Sequence, residues 1–323
     1  MGLARRRFLR MAAGAAALTA LPRRARAFDY PTRPVRIVIG LPPGSGPDID
    51  ARVIAGRLAD RLGQPFIIEN HPGAATNIAT ADVIKAPADG YTLLACALPN
   101  AINATLYDKL SFDFLHDTTP VARIGSDSFV MAVTPSLPAK TVLEFIAYAK
   151  QNPGKILMAS AGSGSALHIF GEQFKAMAGV DLVHVPYRGS FIPDLLGAQV
   201  HVAFAPVNSL IEHIRAGKLR ALAVTMAARL DQLPNVPTLG EFLPGYEADA
   251  WLGFVAPKDT PAEAIATLNR EVNAALADPK IAARFAELGT QPIAMTPAAF
   301  GAFLAAETEK WGKVIRAANI KPE

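Results

Sequence analysis

The sequence predicts an α/β fold in which parallel-rich sheets are flanked by helices and divided between two lobes. Three observations carry that expectation. Short β-branched runs alternate with stretches of helical apolar spacing along most of the chain. A break at 230–245, with Pro234, Pro237 and Pro244 among glycines and acids, ends the alternation. Beyond a last strand, the chain from 261 onward reads as almost wholly helical.

The elements follow in order. Residues 35–39 form a β-branched strand, and 48–62 place Ile49, Val53, Ile54, Leu58 and Leu62 on one helical face. A strand at 66–68, a helix at 77–85 and a strand at 92–95 complete the first set. The second set has strands at 129–133, 156–159, 182–185, 200–205 and 219–224, with helices at 141–151, 165–177 and 209–216. After a strand at 251–255 come helices at 261–277, 279–288 and 297–318. Each opens with proline (Pro261, Pro279, Pro297) in a first turn, where the missing N–H costs nothing. Crossovers near 126–129 and 248–251 divide the chain into one lobe of 28–128 plus 251–323 and another of 129–250.

The first 27 residues read as a cleaved export signal. Arg5, Arg6 and Arg7 lead through Phe8-Leu9-Arg10 into an uncharged apolar run, Met11 to Leu21, and then Ala25-Arg26-Ala27. That run is too short to span a bilayer, which needs roughly 20 apolar residues. The paired arginines before Phe-Leu resemble a twin-arginine signal, with Ala4 where Ser or Thr is usual. The mature chain is expected to start near Phe28, outside the cytoplasm, with no direct membrane insertion.

Removing this segment reverses the charge. Of 32 basic and 28 acidic residues, seven basic and no acidic ones lie in the first 27; the remainder carries 25 basic and 28 acidic groups, a net −3. No basic block remains, which argues against a nucleic-acid partner. Cys96 is the only cysteine, so no internal disulfide can form, and its apolar surroundings predict inert packing.

Two Gly/Ser loops precede helices: Leu41-Pro-Pro-Gly-Ser-Gly-Pro-Asp48 and Ser160-Ala-Gly-Ser-Gly-Ser165. Glycine allows close backbone approach to a ligand, and the first N–H groups of a helix lack partners and favour an anion. Ordinary capping by Asp48 or Ser165 is the plainer alternative for either loop alone. Two such loops, one per lobe, favour an anion site. His168 lies one turn into the second helix; His184 and His201 read as core residues. Further polar positions follow strands, where ligands bind in open α/β sheets: Asn100, Tyr187 with Arg188 and Gly189, and Asn208.

Enzyme motifs are absent. Neither loop completes a dinucleotide fingerprint, no phosphate-binding loop ends in Gly-Lys-Ser/Thr, and no serine is framed as Gly-x-Ser-x-Gly. The six histidines show no zinc spacing, so no metal is expected. A minor alternative is an exported hydrolase using a serine of 160–165 with His168.

The residues 41–48 with Ala51-Arg52, Glu69-Asn-His-Pro-Gly73, Ala88-Asp-Gly-Tyr-Thr-Leu-Leu94, Val183-His-Val-Pro-Tyr-Arg-Gly189 and Leu233-Pro-Asn-Val-Pro237 resemble the Bug family. These are extracytoplasmic receptors of tripartite tricarboxylate transporters, and the likeness spans essentially the whole mature chain. It implies a two-lobed, type II-like periplasmic binding protein fold, with the ligand cleft between the lobes, closing on a small carboxylate with no cofactor and no catalysis. The implied partners are that ligand and the membrane permease subunits; a monomer in the periplasm is expected. A receptor presenting its closed form to a signalling partner shares every one of these features. The implied ligand-binding residues are Gly44, Ser45 and Asp48 in one lobe and Ser163, Gly164, Ser165 and His168 in the other, with Ser160 a further candidate. Asn100, Tyr187, Gly189 and Asn208 complete the candidate set. The chain departs from the family in reading Gly44-Ser45 for a common Gly-Gly pair, and Ala74-Ala75-Thr76 for a later Gly-rich stretch.

Overall fold

The structure is a computed structural model that describes residues 29–322, so the segment read as an export signal lies outside the described residues. Among the described residues no helix is long and apolar enough to cross a membrane.

Two sheets organise the chain. The first contains β1 (Val35–Ile39), β2 (Phe66–Asn70), β3 (Thr92–Ala97), β4 (Thr118–Asp127), β10 (Ala250–Pro257) and β11 (Thr290–Pro292), in the order β11-β4-β10-β3-β1-β2. The second contains β5 (Phe129–Val133), β6 (Leu157–Ser160), β7 (Val183–Pro186), β8 (Val202–Pro206) and β9 (Arg220–Val224), in the order β7-β6-β8-β5-β9. β1 pairs in parallel with β2 and β3, as β6 does with β7 and β8. The sheets are mixed, however: β10 runs antiparallel to β3 and β4, and β5 antiparallel to β8 and β9. Both of these strands arrive from the other sheet without a helical crossover, and only a parallel neighbour requires one. The chain leaves the first sheet after Asp127 and enters the second at Phe129; it returns between Val224 and Ala250.

Helices cover the sheets. They are α1 (Gly46–Leu62), α2 (Asn77–Ile84), α3 (Leu98–Leu106), α4 (Val142–Gln151), α5 (Ala166–Ala178), α6 (Ile192–Leu196), α7 (Val207–Arg215), α8 (Ala262–Leu276), α9 (Pro279–Leu288) and α10 (Pro297–Ala317). β4 and α3 were not expected from the sequence. β4 hides its alternation behind Pro120, Arg123 and Gly125, and two register shifts against β10 break its period. α3 begins where a loop was expected; Pro99 fits its first turn, and Asn100 Oδ1 accepts from Ala97 N at 2.9 Å.

One helix joins both halves. α10 buries Trp311 and Phe300 in a core that also holds Phe170, Phe204 and Met131 of the second sheet's layers. The Trp311 and Phe170 rings stack 5.3 Å apart. Glu307 accepts from Trp311 Nε1 at 2.7 Å and from Trp251 Nε1 at 3.1 Å, which satisfies both buried indoles. Cys96 is buried with its thiol directed at Gly253 O, and burial pushes that thiol up.

Candidate functional site

The first loop is held by a single carboxylate. Asp48 lies in the first turn of α1 and is 1% exposed. Its oxygens accept from Gly44 N at 2.9 Å, Asn70 Nδ2 at 2.8 Å, and Arg52 Nε and Nη2, both at 3.0 Å. Asn70 Nδ2 also donates to Leu41 O, so the two ends of the loop are drawn to one side chain. Burial alone would raise the Asp48 carboxyl, but Arg52, the Gly44 amide and Asn70 outweigh it and hold it below the usual carboxylate range. Asp48 therefore shapes the loop from beneath.

The tip of α1 is left open. Its N-cap, Ser45, makes no side-chain cap; the Ser45 hydroxyl donates back to Pro42 O at 2.8 Å. Pro47 lacks an N–H, so the amides of Gly46 and Asp48 are the first-turn donors without an intrahelical partner. Gly44 and Gly46 are exposed and Ser45 is half-buried, so this row of backbone faces solvent at the carboxyl end of β1.

The second loop repeats the first in outline and adds a cap from Ser165 to His168 N at 3.4 Å. Ser165 caps α5, its Oγ accepting from His168 N while donating to Gly162 O at 2.7 Å. Gly164 N donates to His168 Nδ1 at 3.1 Å, and Gly162 N donates to Ser160 Oγ at 3.1 Å. Positive φ values at Gly162 and Gly164 permit this tight winding. The plainer expectation, capping, therefore describes α5, whereas α1 has no side-chain cap. Gly164 also lies against Leu106, where an added Cβ would come within 2.8 Å, so this loop meets the end of α3.

Behind the second loop stand two imidazoles. His168 is 5% exposed, its Nε2 is 3.6 Å from Glu172 Oε1, and its ring stacks on that of His184 at 3.7 Å and 5°. His184, expected in the core, is instead half-buried beside the loop, with Nε2 2.5 Å from Ser160 Oγ. His201 receives Leu157 N on Nδ1, as a satisfied structural histidine would.

The remaining candidates are dispersed. Asn100 is buried and used in its own helix cap, with Nδ2 donating to Thr80 Oγ1 at 2.8 Å. Tyr187 donates to Asp194 at 2.7 Å, and that bond pushes its hydroxyl up to about 12. Gly189 is exposed, and a Cβ added there would meet nothing within 4 Å. Asn208 Nδ2 donates to Leu288 O at 3.0 Å, which ties the second sheet's layer to α9. A cleft nearby, lined by Ser128, Leu230, Gln232, Ala286 and Thr290 among others, contains none of the predicted site residues and no cationic group.

Sequence reasoning missed the strain beside the first loop. Ala74, Ala75 and Thr76 all have positive φ (45°, 49° and 77°), a region that costs non-glycine residues free energy. Thr76 presses on Gly40, where an added Cβ would come within 2.6 Å. The replacement of a Gly-rich stretch by Ala-Ala-Thr was the one signal that could have found it.

Comparison with known proteins gives a consistent result. The family described as "Tripartite tricarboxylate transporter family receptor" matches residues 50–320. The protein BugT of Bordetella pertussis is 36% identical over 297 residues, covering 90% of this chain and 91% of that protein. The solved structure "R. palustris Rpa4515 with adipate" is similar at 36% identity and a TM-score of 0.76, covering 91% of this chain and 100% of that one. "MatC (Rpa3494) from Rhodopseudomonas palustris with bound malate" is 30% identical with a TM-score of 0.73, covering 88% and 100%.

Proposed function

The chain belongs to the Bug family of tripartite tricarboxylate transporter receptors, and from that premise we propose that it captures a small carboxylate in the periplasm. The observation that carries the reading is the uncapped first turn of α1, set on a loop that Asp48, Arg52 and Asn70 hold rigid. A carboxylate there accepts from backbone N–H groups at the positive end of the helix dipole, and a preorganised loop loses little entropy on binding. Adipate and malate, named with the two similar structures, support that ligand class.

In this reading the lobes are 28–128 plus 251–323 and 129–250, and they close on the ligand as hinge-bending receptors do. The amides of Gly46 and Asp48, beside Gly44 and Ser45, offer backbone donors from one lobe; the first turn of α5, beside Ser163 and Gly164, offers them from the other. Asp48, Ser160, Ser165 and His168 position those loops, Asn100 caps α3, and Tyr187, Gly189 and Asn208 border the cleft. The receptor works as a monomer and delivers its ligand to the permease subunits, without cofactor or catalysis.

The Ser160–His184 contact raises the hydrolase alternative again. Ser160 has no exposed surface, and its hydroxyl is engaged with Gly162, so it cannot reach an external carbonyl. Thermal denaturation against mono-, di- and tricarboxylates tests the receptor reading. A ligand at 100 times its Kd should stabilise the fold by about 2.7 kcal/mol; no shift with any of them would refute it.

A further inference from the structure

Outside the ligand loops, one buried group of side chains is not explained by packing. Asp50 on α1, Asp127 at the end of β4 and Thr290 at the start of β11 converge. Thr290 Oγ1 lies 2.9 Å from Asp50 Oδ2 and 3.0 Å from Asp127 Oδ1. Asp50 is 2% exposed, and its Oδ1 has no hydrogen-bond partner among the described residues. A threonine hydroxyl carries one hydrogen and can donate to only one of the two carboxylates. Toward the other it must accept, and that carboxyl must then carry a proton.

The location links this proton to the ligand loop. Asp127 Oδ2 lies 3.4 Å from the position a Cβ on Gly46 would take, so its carboxyl stands against the first residue of α1. We propose that Asp50 and Asp127 share one proton across Thr290, and that retention of this proton is linked to carboxylate binding at the α1 tip. The linkage rests on the receptor reading above.

The surrounding charges agree. Burial and repulsion from Asp127 push Asp50 up to about 7, against a weaker opposing pull from Arg284 on α9. Burial pushes Asp127 up to about 6, assisted by Asp249, which is itself paired with Arg123 at 2.6 Å. When the proton leaves, a second negative charge appears beside the tip that receives the anion. One charge within about 10 Å, at an effective dielectric of about 20, changes affinity on the order of tenfold. Binding should therefore weaken as pH rises through the neutral range.

Two measurements on the full chain test this. In the first, 13C-carboxyl aspartate resonances are followed with pH in the wild type, Asp50→Asn and Thr290→Val. The wild type should show a carboxyl pair titrating well above the ordinary aspartate range, and Asp50→Asn should keep a single raised carboxyl, that of Asp127. If every aspartate titrates in the ordinary range, the shared proton is overturned. In the second, adipate affinity is measured by calorimetry at pH 6.5 and 8.5. The wild type should bind on the order of tenfold more weakly at pH 8.5, whereas Asp50→Asn, whose Asp127 is largely ionised at both values, should change little. Equal pH dependence in the two proteins would overturn the linkage while leaving the receptor reading intact. If neither adipate nor malate binds at either pH, the receptor reading fails and the linkage with it. The resonance titration then still decides the proton.

Discussion

Replacing Asp48 separates two roles that the sequence could not distinguish, ligand contact and loop scaffold. In Asp48→Ala, the Gly44 amide, one Asn70 donor and two Arg52 donors lose their acceptor. Hydrogen bonds to a charged group contribute about 1.5–3 kcal/mol each when buried, but these are not additive. Arg52 is about half exposed and recovers water as a partner, so its share is heavily discounted. The expected loss is about 3 kcal/mol for Asp48→Ala, with Asp48→Asn smaller because one oxygen acceptor remains. At about 2–4 °C per kcal/mol, the melting temperature of Asp48→Ala should fall by roughly 6–12 °C. The sign with pH follows from the lowered folded-state value of the carboxyl. Its stabilisation is present above the unfolded value near 4 and is lost as pH falls through the folded one, so the variant's deficit should shrink in acid. Thermal melts at pH 7 and pH 3, with calorimetric titration of adipate at pH 7, check the claim. A variant that melts like the wild type yet loses adipate binding would refute the scaffold role and make Asp48 a direct contact.

Other perturbations follow from the same geometry. Because the folded-state value of Asp50 is raised, its ionisation costs stability as pH rises from about 4 to 7. Asp50→Asn should therefore be the more stable protein at pH 8, by about 2–4 kcal/mol, with the advantage fading at pH 5 in urea melts. Ala75→Gly relieves a positive φ and should raise stability by about 1 kcal/mol; a loss would show that the alanine methyl packs favourably there. Gly164→Ala strains a positive φ and meets Leu106, and should cost about 1–3 kcal/mol and weaken adipate binding in the same titration.

The regular βα units were the most readable part of the chain. Val35–Ile39 with Gly46–Leu62, and Leu157–Ser160 with Ala166–Ala178, carry clean periods, and the loops between them carry the glycines that mark both candidate tips. β4 was not legible, because a ten-residue strand containing a buried Arg123 looks polar until Asp249, Ser126 and the Phe303 ring are seen around it. The mixed direction of the sheets was equally hidden, since it depends on which sheet a strand joins rather than on its own residues. At the site, the loops could be named but not their internal bonds. Ser45 and Ser165 both donate to the carbonyl three residues back, and only Ser165 also accepts a helix amide, at 3.4 Å, a difference of a few tenths of an ångström that no residue pattern encodes. Asp50 read as one more residue of an amphipathic helix; its partners lie on strands far along the chain.

The central claim concerns where a carboxylate sits, and amide resonances of perdeuterated protein titrated with adipate report that directly. The predicted result is saturable shifts at the amides of Gly44, Ser45, Gly46 and Asp48, together with Ser163 to Leu167. Saturable binding with those amides unmoved, and shifts centred instead on residues 230–232 and 286–292, would contradict it.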